Sequence, residues 1–235
     1  MRVLAITAHP DDMELECGGT LLKCVQRGDE VFSCHVSDGS LGHMVIGPEE
    51  LGKIRREEAQ KAGAIAGITV IWGGYHDLDI YADNKATRDR IVEIIRTVRP
   101  DFIITHYPDD YMADHNAVSK LVFDASFAAS VPHYECAVMD AVADVTPIFY
   151  MRPSKGLGFV PTEYVDITDV METKKQMFFC HESQVRWLQD HDNIDPTDSM
   201  ITIDHLYGLQ SGVEYAEGFV TCCVDHRMRT RRFLP

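Results

Sequence analysis

The sequence predicts an α/β fold, a mostly parallel sheet with helices on both faces. Three observations predict it. Strand-like and helix-like segments alternate four times within residues 1–130, and such alternation threads parallel strands through crossover helices. The chain has 235 residues, 45% hydrophobic and 25% charged, which suits a globular protein with one substantial core. Polar, ligand-rich stretches follow the first and fourth strands, and the carboxyl edge of such a sheet is where ligands bind.

Arg2 to Thr7 is the first strand, mostly apolar. Gly18 to Arg27 has helical spacing, with Leu21, Leu22 and Val25 on one face, and Gly28-Asp29 ends it. Glu30 to Val36 is the second strand, and Ser37 to His43 is the loop at its carboxyl end. Pro48-Glu49-Glu50 opens a helix, as proline and acids do in a first turn. That helix carries Arg55, Arg56, Glu57 and Glu58 and runs out at Gly67. Ile68 to Trp72 is the third strand and Gly73 to Asp79 its loop. Asn84 to Val98 is an amphipathic helix, with Ile91, Ile94, Ile95 and Val98 on one face. Phe102 to Thr105 is the fourth strand, and Asn116 to Ser130 is helical.

The pattern then loosens. Val145 to Tyr150 and Tyr164 to Ile167 read as strands, and Thr168 to about Leu188 as one long helix. Gln189 to Asp198 reads as an acidic surface loop, and Ile201 to Tyr207 carries no decisive pattern. Gly218 to Val224 is a late strand that includes Cys222 and Cys223, and the basic tail Arg227 to Arg232 is expected at the surface. No linker, repeat or low-complexity tract interrupts the chain, so residues 1–235 are expected to form a single domain.

Charge and composition exclude several classes. A formal net charge of −15 argues against nucleic acid or an anionic membrane as partner and is compatible with a metal or a small molecule. No apolar run approaches the roughly 20 residues of a membrane span, and the start has no secretory h-region. The seven cysteines are odd in number and form no C-x-x-C pair. Free thiols in a reducing, cytoplasmic location are expected.

Chemistry concentrates in two stretches. His9, Asp11 and Asp12 follow the first strand; His115 follows the fourth. In a parallel sheet both loops lie at one edge. His9, Asp12 and His115, with a fourth position open, are the ligand set of a catalytic zinc site. Consecutive residues fit one tetrahedral ion poorly, which leaves Asp11 for general-base work on water. A structural reading stands beside this one. His9-Pro10 can be a turn with Asp11 or Asp12 capping the next helix, and Asp114 can be a cap with His115 in a first turn.

Ala8 to Glu14 reads Ala-His-Pro-Asp-Asp-Met-Glu and resembles the signature of the LmbE-like (PIG-L) zinc-dependent N-deacetylases. Asp114-His115-Asn116-Ala117-Val118 is similar to the second family motif. Tyr164 to Val170, followed by Lys174 and His181-Glu182-Ser183-Gln184, resembles a third, and Tyr215 to Phe219 a fourth. The resemblance runs in order over nearly the whole chain, and archaeal diacetylchitobiose deacetylases and bacillithiol- and mycothiol-pathway deacetylases look similar. It implies a Rossmann-like fold and hydrolysis of an N-acetyl group from an N-acetylglucosamine-type sugar or conjugate. It implies Zn2+ on His9, Asp12 and His115, with Asp11 as base. A His2Asp set also admits iron or cobalt. Arg55, in an Arg-x-x-Glu pattern with Glu58, matches a substrate-contacting arginine; its alternative is a surface salt bridge with Glu58. Relatives are often homo-oligomers.

One departure stands out. Where relatives read His-Pro-Asp-His, this chain reads Met112-Ala113-Asp114-His115. The absent histidine is the expected oxyanion or leaving-group partner. His106 is the local substitute and Tyr111 the second; His43, His76 and His205 are more distant candidates. The alternatives are an amidase acting on a different N-acyl conjugate, or a sugar- or metal-binding homologue without catalysis.

Overall fold

The computed structural model describes residues 1–230 and 232–235. Five strands run parallel: β1 (Arg2–Thr7), β2 (Glu30–Ser37), β3 (Thr69–Tyr75), β4 (Phe102–His106) and β5 (Ile148–Met151). Two more, β6 (Glu163–Asp166) and β7 (Ala216–Thr221), complete a seven-stranded sheet in the order β3-β2-β1-β4-β5-β7-β6. β7 is antiparallel to both of its neighbours. The helices are α1 (Asp12–Glu16), α2 (Gly18–Gln26), α3 (Pro48–Ala66), α4 (Lys85–Val98), α5 (Ala113–Ala128), α6 (Met171–Phe179), α7 (Glu182–Asp192) and α8 (Pro196–Ser211).

The strands explain why the sheet is covered on both faces. Successive side chains alternate across a strand. Val3 and Ala5 of β1, with Phe102 and Ile104 of β4, enter one apolar cluster beside Leu21, Met13 and Met177. Leu4, Ile6 and Ile103 enter the other, beside Ile91, Ile95 and Leu121. Both parities are apolar, as a sheet buried on two faces requires. Ile6 of β1 pairs with Cys34 and with Thr105, so β1, β2 and β4 end at nearly one level. That register brings His9, the Asp38–Gly42 loop and His115 to one edge.

The last third differs from the sequence reading. The single helix expected over Thr168 to Leu188 is a short 3-10 turn, α6 and α7, broken at Cys180-His181. The break turns the His181 ring inward to Glu14 (Nε2–Oε1 3.1 Å) and lets Ser183 donate its N–H and Oγ to Glu58, both at 2.7 Å. The expected acidic loop is largely helical: α7 runs to Asp192, and Asp195 caps α8 by accepting from the Thr197 N–H at 2.9 Å. α8 also covers Ile201 to Tyr207. β7 stops at Thr221, so Cys222 and Cys223 lie beyond it. In the basic tail Arg227 is buried, because its guanidinium donates to Ser126 Oγ and to the carbonyls of Thr146 and Phe123. Arg231 of that tail lies outside the described residues. No described helix is long and apolar enough to cross a membrane.

Candidate metal centre

Just beyond the end of β1 the chain turns sharply at Asp11. Asp11 has φ of 110°, left-handed territory that a non-glycine residue enters at a cost of about 1–3 kcal/mol. Its carbonyl accepts from the Leu15 N–H at 3.0 Å and so starts α1. Its side chain makes no cap bond. Instead, Oδ1 lies 3.0 Å from Nη2 of Arg55 on α3. Arg55 is itself buried and donates to the carbonyls of Gly39, at 3.0 Å, and Pro10. Gly39 has positive φ and lies against the guanidinium, where a Cβ would overlap it. The surface pairing of Arg55 with Glu58 is not found: Glu58 is taken by Ser183.

One residue on, Asp12 stands between two imidazoles. Its Oδ2 accepts from the His9 N–H at 2.7 Å and lies 3.4 Å from His9 Nδ1; its Oδ1 lies 3.3 Å from His115 Nε2. All three side chains are buried, and their donor atoms fall within 4.8 Å of one another. The outward-facing ring nitrogens are held by carboxylates. His115 Nδ1 meets Asp110 Oδ2 at 2.9 Å. His9 Nε2 meets Asp77 Oδ1 at 3.1 Å and Asp114 Oδ2 at 3.3 Å. Carboxylates behind imidazoles fix ring orientation and tautomer in metal sites. Asp77, Asp110 and Asp114 were not singled out by sequence as site residues; their signal is acidic residues in loops at the same sheet edge.

The site's electrostatics follow. Burial opposes charge on Asp12, but His115, His9 and His106 around it hold its pKa well below the usual carboxylate range. Burial likewise opposes charge on His9 and His115, yet Asp12 and the outer carboxylates raise both, His115 to about 9. Burial pushes Asp11 up to about 6 against the pull of Arg55. The donor set fits a divalent cation on a further count: buried His115 Nε2 makes no well-formed hydrogen bond, having only Asp12 Oδ1 at 3.3 Å beside it. An unmet buried donor or acceptor calls for an explanation, and a bound ion is one. A second group, His9, Asp77 and Asp114, satisfies the same distance test but shares His9.

These residues open onto a cavity of about 390 Å³, whose wall includes His9, Asp11, Asp12, Arg55, Tyr111 and Met112. The remaining sequence candidates separate clearly. His106 is buried behind Asp12 and stacks on His115 with centroids 3.9 Å apart. Its Nε2 accepts from the Ala8 N–H at 2.9 Å, and burial, reinforced by His115, lowers its pKa to about 4. That nitrogen is an acceptor already in use, so the geometry gives His106 a supporting place rather than the donor's place expected from sequence. Tyr111 is 82% exposed at the cavity mouth. His43 accepts from Val45 and Ile46, His76 meets Asp38, and His205 meets the Glu214 carbonyl, so none of the three joins the cluster. His115 does occupy the first turn of α5, as the structural alternative had it, and the Asp114 carboxylate accepts from the Leu78 N–H rather than capping that helix.

Fold and site together define a Rossmann-like α/β protein with a buried His2Asp cluster at the carboxyl edge of its sheet. The chain belongs to the PIG-L family: residues 4–126 match the family profile, described as GlcNAc-PI de-N-acetylase. It is 31% identical to the diacetylchitobiose deacetylase of Thermococcus kodakarensis over 234 residues, covering 92% of this chain and 81% of that one. It is 25% identical to the 4-oxalmesaconate hydratase of Pseudomonas putida over 191 residues, covering 77% and 73%. Among solved structures, the N,N'-diacetylchitobiose deacetylase of Pyrococcus horikoshii, complexed with its inhibitor MPG, superposes with a TM-score of 0.82. That match has 27% identity and covers 93% of this chain and 82% of the other.

Proposed function

We propose that residues 1–235 act as one domain that hydrolyses the N-acetyl group of an N-acetylglucosamine-type sugar or conjugate, releasing acetate. The observation that carries this reading is the Asp11 carboxylate, lining a cavity with His9 and Asp12 of the buried His9–Asp12–His115 cluster. We assign those three residues as ligands of a divalent ion, Zn2+ first. When bound, such an ion supplies positive charge that polarises an amide carbonyl and acidifies water. Asp11 takes the proton from the attacking water at its carboxylate oxygen. Arg55 holds that carboxylate facing the cavity and, through the Pro10 carbonyl, steadies the turn that carries it. Protonated Asp11 then returns the proton to the departing amine. Asp110, Asp77 and Asp114 keep the two imidazoles oriented. Tyr111 carries the hydroxyl next in sequence to Met112, and we assign it as donor to the developing oxyanion. The seven cysteines are free, which supports a reducing compartment such as the cytoplasm.

The test is acetate release from diacetylchitobiose and simple N-acetylglucosaminides. Activity is expected to vanish on chelation and to return with Zn2+; full activity in metal-free protein would overturn the metal assignment. Met112→His adds a second donor beside Tyr111 and is expected to raise kcat by about 10²-fold, the worth of one oxyanion donor, with KM nearly unchanged. An unchanged kcat would mean that the oxyanion is already served.

One relative supports a second reading. The Pseudomonas putida protein is a hydratase, and adding water across a double bond needs an activated water but no leaving amine. Met112 is compatible with that chemistry. Consumption of 4-oxalmesaconate without acetate release from any glycoside would favour it.

A further inference from the structure

The cavity lining is chemically mixed. His9, Asp11, Asp12 and Arg55 make part of that lining polar. Two of its cations are already engaged, Arg55 at 3.0 Å from Asp11 and Arg152 at 2.6 Å from Glu16, while Lys155 also lines the cavity. An apolar strip lies among polar lining residues that include Tyr111, Lys155, Gln184 and Ser199. It is made by Met112 at the start of α5, Leu188 on α7, and Ile194 and Pro196 at the α7–α8 junction. Ile194 is 43% exposed, and Met112 and Leu188 are half-buried. Apolar side chains left open to water at the mouth of a polar cleft mark a surface that a ligand covers.

We propose that this strip is an aglycone subsite, and that the preferred substrate carries an alkyl or aryl group on the sugar rather than a second sugar. The proposal rests on the deacetylase reading above and extends it to substrate class. A second sugar would set hydroxyls against Met112, Leu188 and Ile194, which offer them no hydrogen-bond partner through their side chains. An alkyl or aryl group placed there gains the full hydrophobic effect. The polar residues stay free to hold the N-acetyl end, so the strip sets affinity for the leaving part of the substrate.

A homologous series tests this: methyl, propyl, hexyl and benzyl N-acetylglucosaminides beside diacetylchitobiose, assayed with the metal-loaded protein. Each methylene that reaches the strip is expected to raise kcat/KM by up to about four-fold, the worth of one buried CH2. Ile194→Ser and Leu188→Ser are expected to flatten that slope while leaving the methyl glycoside's rate within about two-fold of wild type, the ordinary reach of a half-exposed substitution. A flat series in the wild type, or diacetylchitobiose turned over better than the hexyl glycoside, would overturn the subsite. So would a slope untouched by both substitutions, or a change in oligomeric state caused by them, which would make the strip an interface between copies. If no glycoside releases acetate, the deacetylase reading fails. Calorimetric binding of the same series then decides the strip separately: chain-length dependence supports it and its absence refutes it.

Discussion

Asp11→Asn is expected to lower kcat on N-acetylglucosaminides by about 10²–10⁴-fold, the usual worth of a positioned general base. Metal content should stay at the wild-type level, because the three assigned ligands are untouched. The asparagine keeps the shape and can still accept from Arg55, which retains the carbonyls of Gly39 and Pro10. Stability should move the other way. Burial raises the Asp11 pKa to about 6, so the fold disfavours the charge that catalysis needs. The sign follows from linkage: a carboxyl whose folded pKa exceeds its unfolded value supports folding below the unfolded value. That support is lost as pH rises through the folded value. Metal-free wild type should therefore lose stability relative to Asp11→Asn between about pH 4 and pH 6, the interval between the unfolded and folded values. Above that window the inactive variant should be at least as stable in a denaturant titration. A variant that keeps its rate with full metal occupancy would remove Asp11 from the base's role. A stability gap of opposite sign would show that Arg55 dominates the burial penalty.

The parts of this molecule that could be read from sequence share one property: their signal is local. Strands β1 to β4 and the helices between them each carry their own periodicity, and the register of β1 with β2 and β4 then places His9 and His115 together. Asp77 and Asp110 were harder to see, because a carboxylate behind an imidazole is recognisable only once the imidazole is placed. α8 is the clearest case of a hidden element. Its buried positions Pro196, Met200, Asp204 and Tyr207 have helical spacing, but one of them is an acid. Leu206 and Leu209 face water instead. A helix that buries an aspartate and exposes leucines shows no amphipathic pattern. Arg227 is similar: its burial depends on the tail crossing back over α5, where its guanidinium lies 4.5 Å from the Phe123 ring centroid. Met112 worked in the opposite direction, since the sequence marked it as an absence and the structure shows it lining the same cavity as Leu188 and Ile194.

The second large effect is structural and concerns residues of the third and fourth family motifs. Lys174→Met is expected to cost about 3–5 kcal/mol of folding free energy, the range for removing one partner of a buried ion pair. Lys174 on α6 is fully buried, with Nζ 2.5 Å from Asp204 Oδ2 on α8 and 2.7 Å from Glu217 Oε1 on β7. Glu217 also accepts from the Gly19 and Thr20 N–H groups, at 2.9 and 2.7 Å, at the start of α2. One ammonium thus ties three elements to α2, the second helix after the His9–Asp12 turn. Without it, two carboxylates face each other with no cation, and burial already raises Asp204 to about 6 with Lys174 present. Losing 3–5 kcal/mol would remove a large share of a typical stability of about 5–15 kcal/mol. The remedy should be specific. Adding Asp204→Leu to Lys174→Met leaves Glu217 with its two helix N-terminal donors, where a carboxylate is favoured. The double variant should recover much of the loss, while Asp204→Leu alone should cost less than Lys174→Met, because it leaves Lys174 paired with Glu217. Urea midpoints with a common m-value measure all three. A loss below about 1 kcal/mol for Lys174→Met, within the range of an ordinary surface change, would mean that the two carboxylates are held by something other than this lysine.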